Sequence, residues 1–285
     1  MSDRIAEIAR RIQTVRQLGT VINAMRGIAA QRAQQGRALL PGIRAFADTA
    51  NRAIEQARLL VNAQGSLSSS TKSTAKTGLI LFGAEQGFAG GFPELLIDEA
   101  ARDMTHQHIF LLGARTVTIA KERNLPVNWS ANLSNKADAL TGLAMTVLDA
   151  LYDYLDEAGP VPIDMAYPIW RSGQGASIRH IRLLPLELAP VPPLHAATAP
   201  LTNLAPADLI GDFTVEYVFA RICEAAVEAF VAENEARIRT MAAARTHIDR
   251  KSDALRLEER LTRQDEITAE VVELAGGARS GRAKR

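Results

Sequence analysis

Apolar and small residues recur along the start of the chain at alternating steps of three and four: Ile5, Ile8, Ile12, Val15, Gly19, Ile22, Arg26, Ala29, Ala33 and Gly36. That spacing keeps one stripe of a helix turned toward a partner helix, the seam of a coiled coil. Ser2 or Asp3 can cap its start. After Ile22 the stripe shrinks to Ala and Gly, so a partner can approach closely there while burying less apolar area. Pro41-Gly42 interrupts the pattern, and a kink or break is expected because proline removes a helix hydrogen bond and clashes with the preceding turn. The period resumes through Ile43, Phe46, Ala50 and Ile54 and reaches about Val61. At a rise of about 1.5 Å per residue an unbroken helix of that length spans roughly 90 Å, wider than a globular domain of this mass. Such a helix must project or be enclosed by other chains.

The far end has the same character. Asp208 or Asp212 can cap a helix in which Val215, Phe219, Ile222, Ala226, Ala229 and Glu233 keep the period. Alanine dominates its middle, and Gly276-Gly277 is the expected stop. Two long Ala-rich helices at opposite ends predict an antiparallel coiled coil. Between them, residues 65–77 are rich in Ser, Thr and Lys and read as a mobile linker. Residues 79–82 and 109–113 are short apolar runs of strand type, with helical signal at 95–104 between them. Residues 126–129, 163–170 and 177–185 are further candidate strands, and a helix is expected over 137–155. The alternation predicts an α/β fold, a small open Rossmann-like sheet domain with largely parallel order. A Pro-rich connector covers 185–206. The expected division is an N-terminal coiled-coil helix (1–62), a linker (63–77), a central α/β domain (78–207), a C-terminal coiled-coil helix (208–278) and a basic tail (279–285).

Composition narrows the classes. The chain has 285 residues, 47% hydrophobic and 23% charged, enough to bury a substantial core. Aromatic residues make up only 5%, which suits helices packed through small side chains. A lone cysteine, Cys223, excludes a disulfide scaffold and suits a reducing compartment. No uncharged apolar stretch is long enough to span a bilayer, and Asp3, Arg4 and Glu7 stand where a signal peptide needs its apolar core. The net charge of +1 argues against a general nucleic-acid binder. It conceals an asymmetry, because residues 1–62 carry ten arginines and four carboxylates while both later regions are mildly acidic. A solvated helix face is the common outcome for such a basic run; an acidic partner is the more specific reading.

Catalytic signatures are weak. GAEQGFAGGF, from Gly83 to Phe92, follows a strand, and Gly87, Gly90 and Gly91 make it a tight strand-to-helix turn. It lacks both the G-x-G-x-x-G spacing and the Gly-Lys-Ser/Thr ending of phosphate loops. His106 and His108 can share a strand face, but no Cys or nearby carboxylate completes a metal site. Cys223 reads as a small core residue, and no Ser, His and Asp grouping has local support. No catalytic residue, metal or cofactor is expected. Glu233 and Arg237, four apart, can pair on one helix face; by spacing alone this is a solvated pair worth a few tenths of a kcal/mol. Arg263, Gln264, Thr268 and Glu270 crowd a helix that otherwise carries Ile267, Val271 and Leu274. A planar Arg beside Gln suits contacts with a partner's carboxylates or backbone, with a solvated face as the alternative.

The segment from Leu255 to Ala278 resembles the C-terminal signature of the F-type ATP synthase gamma subunit. It matches at Leu255, Leu257, Arg263-Gln264, Ile267-Thr268, Glu270, Glu273 and Gly276-Gly277-Ala278. Upstream, Glu233, Arg237 and Met241 match the family pattern. RRIQTVRQLGTVINAMRGIAA is similar to its first helix, including Ala24-Met25 and Ala29-Ala30. GAEQGFAGGF is similar to a loop that in the family reads Asp-Arg-Gly-Leu, small residue, Gly, and Leu183-Leu184-Pro185 also fits. Departures point to a divergent branch or a second, alternative synthase operon: Glu85-Gln86 for Asp-Arg, Pro93 for Asn, Glu259-Arg260 for Tyr-Asn, residues 245–247 for a Thr-x-Asn pattern, and Pro41-Gly42 in the first helix.

The resemblance implies a non-catalytic rotor shaft. Its terminal helices would form a coiled coil inside a ring of alternating alpha and beta subunits, with the α/β domain against the epsilon subunit and the c-ring of the membrane sector. Rotation would couple ion flow to ATP synthesis or hydrolysis on the beta subunits. The chain would lie peripherally at the cytoplasmic face of a bacterial inner membrane, without inserting. Met25 and Arg26, with Arg263, Gln264, Thr268 and Glu270, would contact the ring at its lower opening, and Arg237 with Glu233 would tune coupling. The residues alone leave two alternatives open: a nucleotide-binding α/β protein with a coiled-coil stem, and a coiled-coil adaptor for an acidic partner.

Overall fold

The computed structural model describes residues 2–63, 77–102, 106–186 and 202–282. Helix α1, Ser2–Ala63, runs without a break and contains Pro41, which corrects the expected interruption at Pro41-Gly42. A proline inside a helix costs about 3 kcal/mol, and packing on the inner face outweighs it. Leu40 and Ala47 on either side of the proline are buried, as are Ala50, Ile54, Ala57 and Val61. The seam differs from the expected one at Phe46, which is exposed while Ala47 takes the inner position. Arg26 likewise lies outside the seam, exposed to solvent.

The other long helix, α5, spans Pro206–Arg282. It passes through Gly276-Gly277, where the sequence pattern placed its end. A glycine in a helix interior costs only about 1 kcal/mol, so it permits termination without enforcing it. Residues 64–76 of the expected linker (63–77), residues 187–201 of the Pro-rich connector and the last three tail residues fall outside the described residues. Among the described residues no helix is long and apolar enough to cross a membrane.

The chain divides into two compact units. One comprises Met1–Ile28 and Ile238–Arg285. Here α1 and α5 run antiparallel: Ile8 and Ile12 pack on Leu255, with Val15 against them. Gly19 admits a bulky neighbour, since a Cβ built there would sit 2.9 Å from Arg245 Nη1. Arg245 Nη1 also donates to the Gly19 carbonyl at 3.3 Å.

The other unit, Ala29–Arg237, carries a five-stranded sheet. Its strands are β1 (Thr77–Phe82), β2 (His106–Leu112), β3 (Trp129–Ala131), β4 (Ile163–Arg171) and β5 (Gly175–Leu184), in the order β3-β2-β1-β4-β5. The first four pair in parallel and β5 returns antiparallel on β4, so the sheet is mixed and the expected parallel order holds for four strands. Crossovers are made by α2 (Phe92–Arg102), α3 (Ala114–Glu122) and α4 (Leu140–Ala158), the last preceded by a 3-10 turn at Ala137–Ala139. Helix α3 was not expected, and β3 starts three residues later than the run at 126–129. Pro126 has no amide for a ladder, and Asn128 instead closes the strand start, its Oδ1 accepting from Ile109 N at 2.8 Å.

Side chains of a strand alternate between faces, and both faces of this sheet are covered. Ile80, Phe82, Phe110, Leu112, Met165 and Tyr167 pack on α4 and on Val218, Ile222, Ala226 and Phe230 of α5, with Leu40 of α1 joining them. Leu79, Leu81, Ile109 and Leu111 pack on Leu96 and Ile97 of α2 and Ile119 of α3.

Candidate functional site

The parallel strands end at one edge of the sheet, where doubly wound folds hold ligands between loop and helix N-terminus. The glycine-rich loop, residues 83–91, begins there and is fastened at three points. First, Thr116 is fully buried and its Oγ1 accepts from Ala84 N at 2.7 Å. Gly83 is required beside it, because a Cβ there would lie 2.2 Å from Thr116 Oγ1. Second, Glu85 turns inward. Its Oε2 accepts from Ala114 N at 3.0 Å and from Leu133 N at 2.8 Å, which places a carboxylate on the first turn of α3. Helix N-termini attract anions through their free amides and dipole, so the free amide at the start of α3 is satisfied by this chain's own carboxylate.

Third, α5 grips the loop through Glu233 and Arg237. The Glu233 carboxylate accepts from Glu85 N at 2.8 Å and Gln86 N at 3.1 Å. Arg237 Nη2 donates to Glu233 Oε1 at 2.6 Å and to the Gly87 carbonyl at 3.1 Å, and its Nη1 to Asn234 Oδ1 at 3.2 Å. Glu233 and Arg237 are 3% and 5% exposed. The solvated pair expected from spacing is therefore a buried ion pair whose every arm ends on protein. Gly90 adopts φ +74°, a backbone region that disfavours other residues, and a Cβ there would face Ala236 at 3.6 Å. Gly87 and Gly91 meet nothing within 4 Å of a built Cβ. So anchored, the loop presents Phe88, 63% exposed and at φ 62°. A non-glycine residue at positive φ persists only where its surroundings impose it.

A second polar cluster joins α1 to α5. Arg44 Nε donates to Glu224 at 3.0 Å, its Nη2 pairs with Glu228, and Arg221 closes on Glu224 from the same helix. About two turns before Arg44, Arg37 pairs with Glu235. Glu224 and Glu228 are buried. Burial pushes the Glu228 carboxyl above the usual range, opposed by Arg44, while the hydrogen bond to Glu224 raises the Arg44 guanidinium further. Neither this cluster nor the inward turn of Glu85 is visible from spacing, because their partners lie far off in sequence.

The predicted partner-contact residues are carried by α1 and α5. Met25 is half-buried on α1, while Arg263, Gln264, Thr268 and Glu270 are exposed on α5. Arg263 meets Glu259 at 3.3 Å, and Thr268 Oγ1 donates to the Gln264 carbonyl at 2.8 Å. The antiparallel register set by Ile8 on Leu255 and Gly19 on Arg245 puts Met25 and Arg26 about six turns, roughly 35 Å, from Arg263. These two groups are not one site within the chain. His108 stacks on Tyr154 at 4.1 Å, and burial lowers its pKa; the His106 side chain lies outside the described residues. Cys223 is buried, and burial pushes its thiol up to about 11, a poor nucleophile. Among the described residues no group of three or more His, Cys, Asp or Glu side chains could hold a metal ion.

A family model described as ATP synthase matches residues 4–280. The ATP synthase gamma chain of Streptomyces griseus is 26% identical, the match covering 98% of this chain and 96% of that one. The gamma chain of a Nocardioides species is 24% identical, covering 97% and 96%. Among solved structures, a chain of the Euglena gracilis mitochondrial ATP synthase OSCP/F1/c-ring in rotational state 3 superposes with a TM-score of 0.69 at 12% identity, covering 99% of this chain and 96% of that one. A chain of the rotor of that enzyme in rotational state 1 gives 0.65 at 11% identity, covering 94% and 100%.

Proposed function

The chain belongs to the gamma-subunit family of ATP synthases, and from that premise we propose how it carries torque. It is a non-catalytic subunit, the central rotor shaft, working against the alpha and beta subunits of the catalytic ring, the epsilon subunit and the c-ring. Nucleotide chemistry belongs to the beta subunits, and the shaft's work is to force them through successive binding states. Residues 1–62 and 208–278 are the shaft, and residues 78–207 are the domain that meets epsilon and the c-ring. The subunit works at the cytoplasmic face of a bacterial inner membrane.

The observation that carries the mechanical reading is the loop fastened to α5. Because Glu233 and Arg237 hold residues 85–87 by hydrogen bonds with no exposed arm, force applied at Phe88 passes directly into the long helix. A flexible loop would absorb it. In this account Glu233 and Arg237 set the stiffness of coupling, and Met25 and Arg26, like Arg263, Gln264, Thr268 and Glu270, contact the catalytic ring, the two groups at separate levels of the paired helices. Glu85 also weighs against the nucleotide-binding alternative, since its carboxylate would repel a phosphate at α3.

Co-expression with the alpha and beta subunits of the same organism tests the assignment. The chain should co-purify as one copy per ring, and Arg263→Ala with Gln264→Ala should lower ion-coupled ATP synthesis while leaving the ring's composition unchanged. Purification as a free ATP-binding protein is the opposite outcome.

A further inference from the structure

Pro41 and Gly42 are adjacent in the middle of an unbroken helix. Proline has no amide to offer the Arg37 carbonyl and its ring crowds that turn; glycine adds backbone freedom. On its own such a stretch is where a helix opens. Two ion-pair clasps to α5 flank it, Arg37 with Glu235 on one side and Arg44 with Glu224 and Glu228 on the other. Arg221 also faces this group from α5, and Tyr167 of β4 and Arg179 of β5 act on the same charges. Between the clasps Leu40 is buried in the core, and Gly36 presses on α5 so closely that a Cβ would lie 2.6 Å from Val231 Cγ2. Among the described residues nothing braces the outer side: Leu39 and Phe46 are 40% and 45% exposed, and a Cβ on Gly42 would meet nothing within 4 Å.

We infer that residues 37–44 of α1 are a latched joint, a point at which this helix opens locally while α5 stays continuous beside it, held shut by the Arg37 and Arg44 clasps. Among the described residues the restraint comes from the α5 side. Arg44 is half exposed while its two carboxylates are buried, so its guanidinium can exchange a carboxylate for water and return. When the latch slips, the Arg37 carbonyl gains water in place of the amide that Pro41 lacks. The joint itself needs no partner protein. Its mechanical consequence, a reversible soft spot in a shaft under torque, rests on the rotor reading above.

Hydrogen exchange of the full chain, alone and in complex with the alpha and beta subunits, tests the joint independently of that reading. Backbone amides of residues 38–45 should exchange about tenfold faster than those of residues 47–54 on the same helix, as expected of a local opening unit. Arg44→Gln should accelerate that segment by a further factor of about ten without changing 47–54, and Pro41→Ala should slow it to the rate of its neighbours. Should Arg44→Gln fail to fold, added salt on the unaltered chain replaces it, because screening the half-exposed clasp should speed the same segment selectively. Uniform exchange along α1, or acceleration spread evenly over residues 29–63, would overturn the joint. Failure to co-purify with alpha and beta subunits while the exchange pattern holds would sink only its rotary meaning.

Discussion

Replacing Arg237 by Met keeps an unbranched apolar stem in place and removes the guanidinium with its charge. Glu233 is then left as a buried carboxylate with the amides of Glu85 and Gln86 but no counter-charge. The Gly87 carbonyl and Asn234 Oδ1 each lose a donor. Breaking a buried pair by removing one partner costs about 3–5 kcal/mol, because the remaining charge cannot return to water. In a unit of this size each kcal/mol moves the midpoint of thermal unfolding by about 2–4 °C, so a fall of roughly 6–20 °C is expected. A solvated pair worth a few tenths of a kcal/mol would move it by less than about 2 °C. Circular dichroism melts of the full chain separate the two. Adding Glu233→Gln to the Met variant should recover part of the loss, since the stranded charge is gone, and the amides of residues 85–87 should exchange faster in the single variant than in the double. A shift under about 2 °C, or a double variant no better than the single, would refute the claim that this pair locks the loop.

Gly36→Ala should destabilise by about 1–3 kcal/mol, the usual penalty of overpacking, because its Cβ would meet Val231 at 2.6 Å and Phe230 at 3.1 Å; chemical denaturation reads it. His108 has its pKa lowered from 6.5 by burial, so the unfolded chain binds this proton more readily than the folded one. Stability should therefore fall as pH drops below about 6.5, and His108→Phe, which keeps a ring against Tyr154, should flatten that part of the melt-against-pH curve. Arg263→Ala with Gln264→Ala should leave the melting temperature of the isolated chain within about 2 °C, since both side chains are exposed, yet lower ion-coupled ATP synthesis of the assembled enzyme.

The coiled-coil seam was legible because a helix facing one partner must repeat every three and four residues, and Ile8, Ile12, Ala29, Ala33 and Gly36 are all buried where that rule puts them. Beyond Pro41 the period alone chose Phe46, but the small Ala47 fits the closely packed helices and Phe46 does not. Helix α3 was hidden because its β-branched residues, Thr116, Val117, Thr118 and Ile119, weaken the helical signal, while burial of Ile119 and Ala120 under the sheet supplies what propensity lacks. Glu233 and Arg237 were recognised as a pair, yet their burial depends on a loop some 150 positions away, which no local pattern contains. The glycine-rich loop links β1 to α2. That its own Glu85 caps the start of α3 required the fold, because Ala114 lies 29 positions away.

The most direct test of the central claim is single-molecule rotation. A bead or fluorophore fixed to the α/β domain, with the alpha–beta ring held on a surface, should turn in one direction while ATP is hydrolysed and stop when ATP is withdrawn. ATP hydrolysis by the assembled ring with a probe that only fluctuates about one orientation would contradict the account.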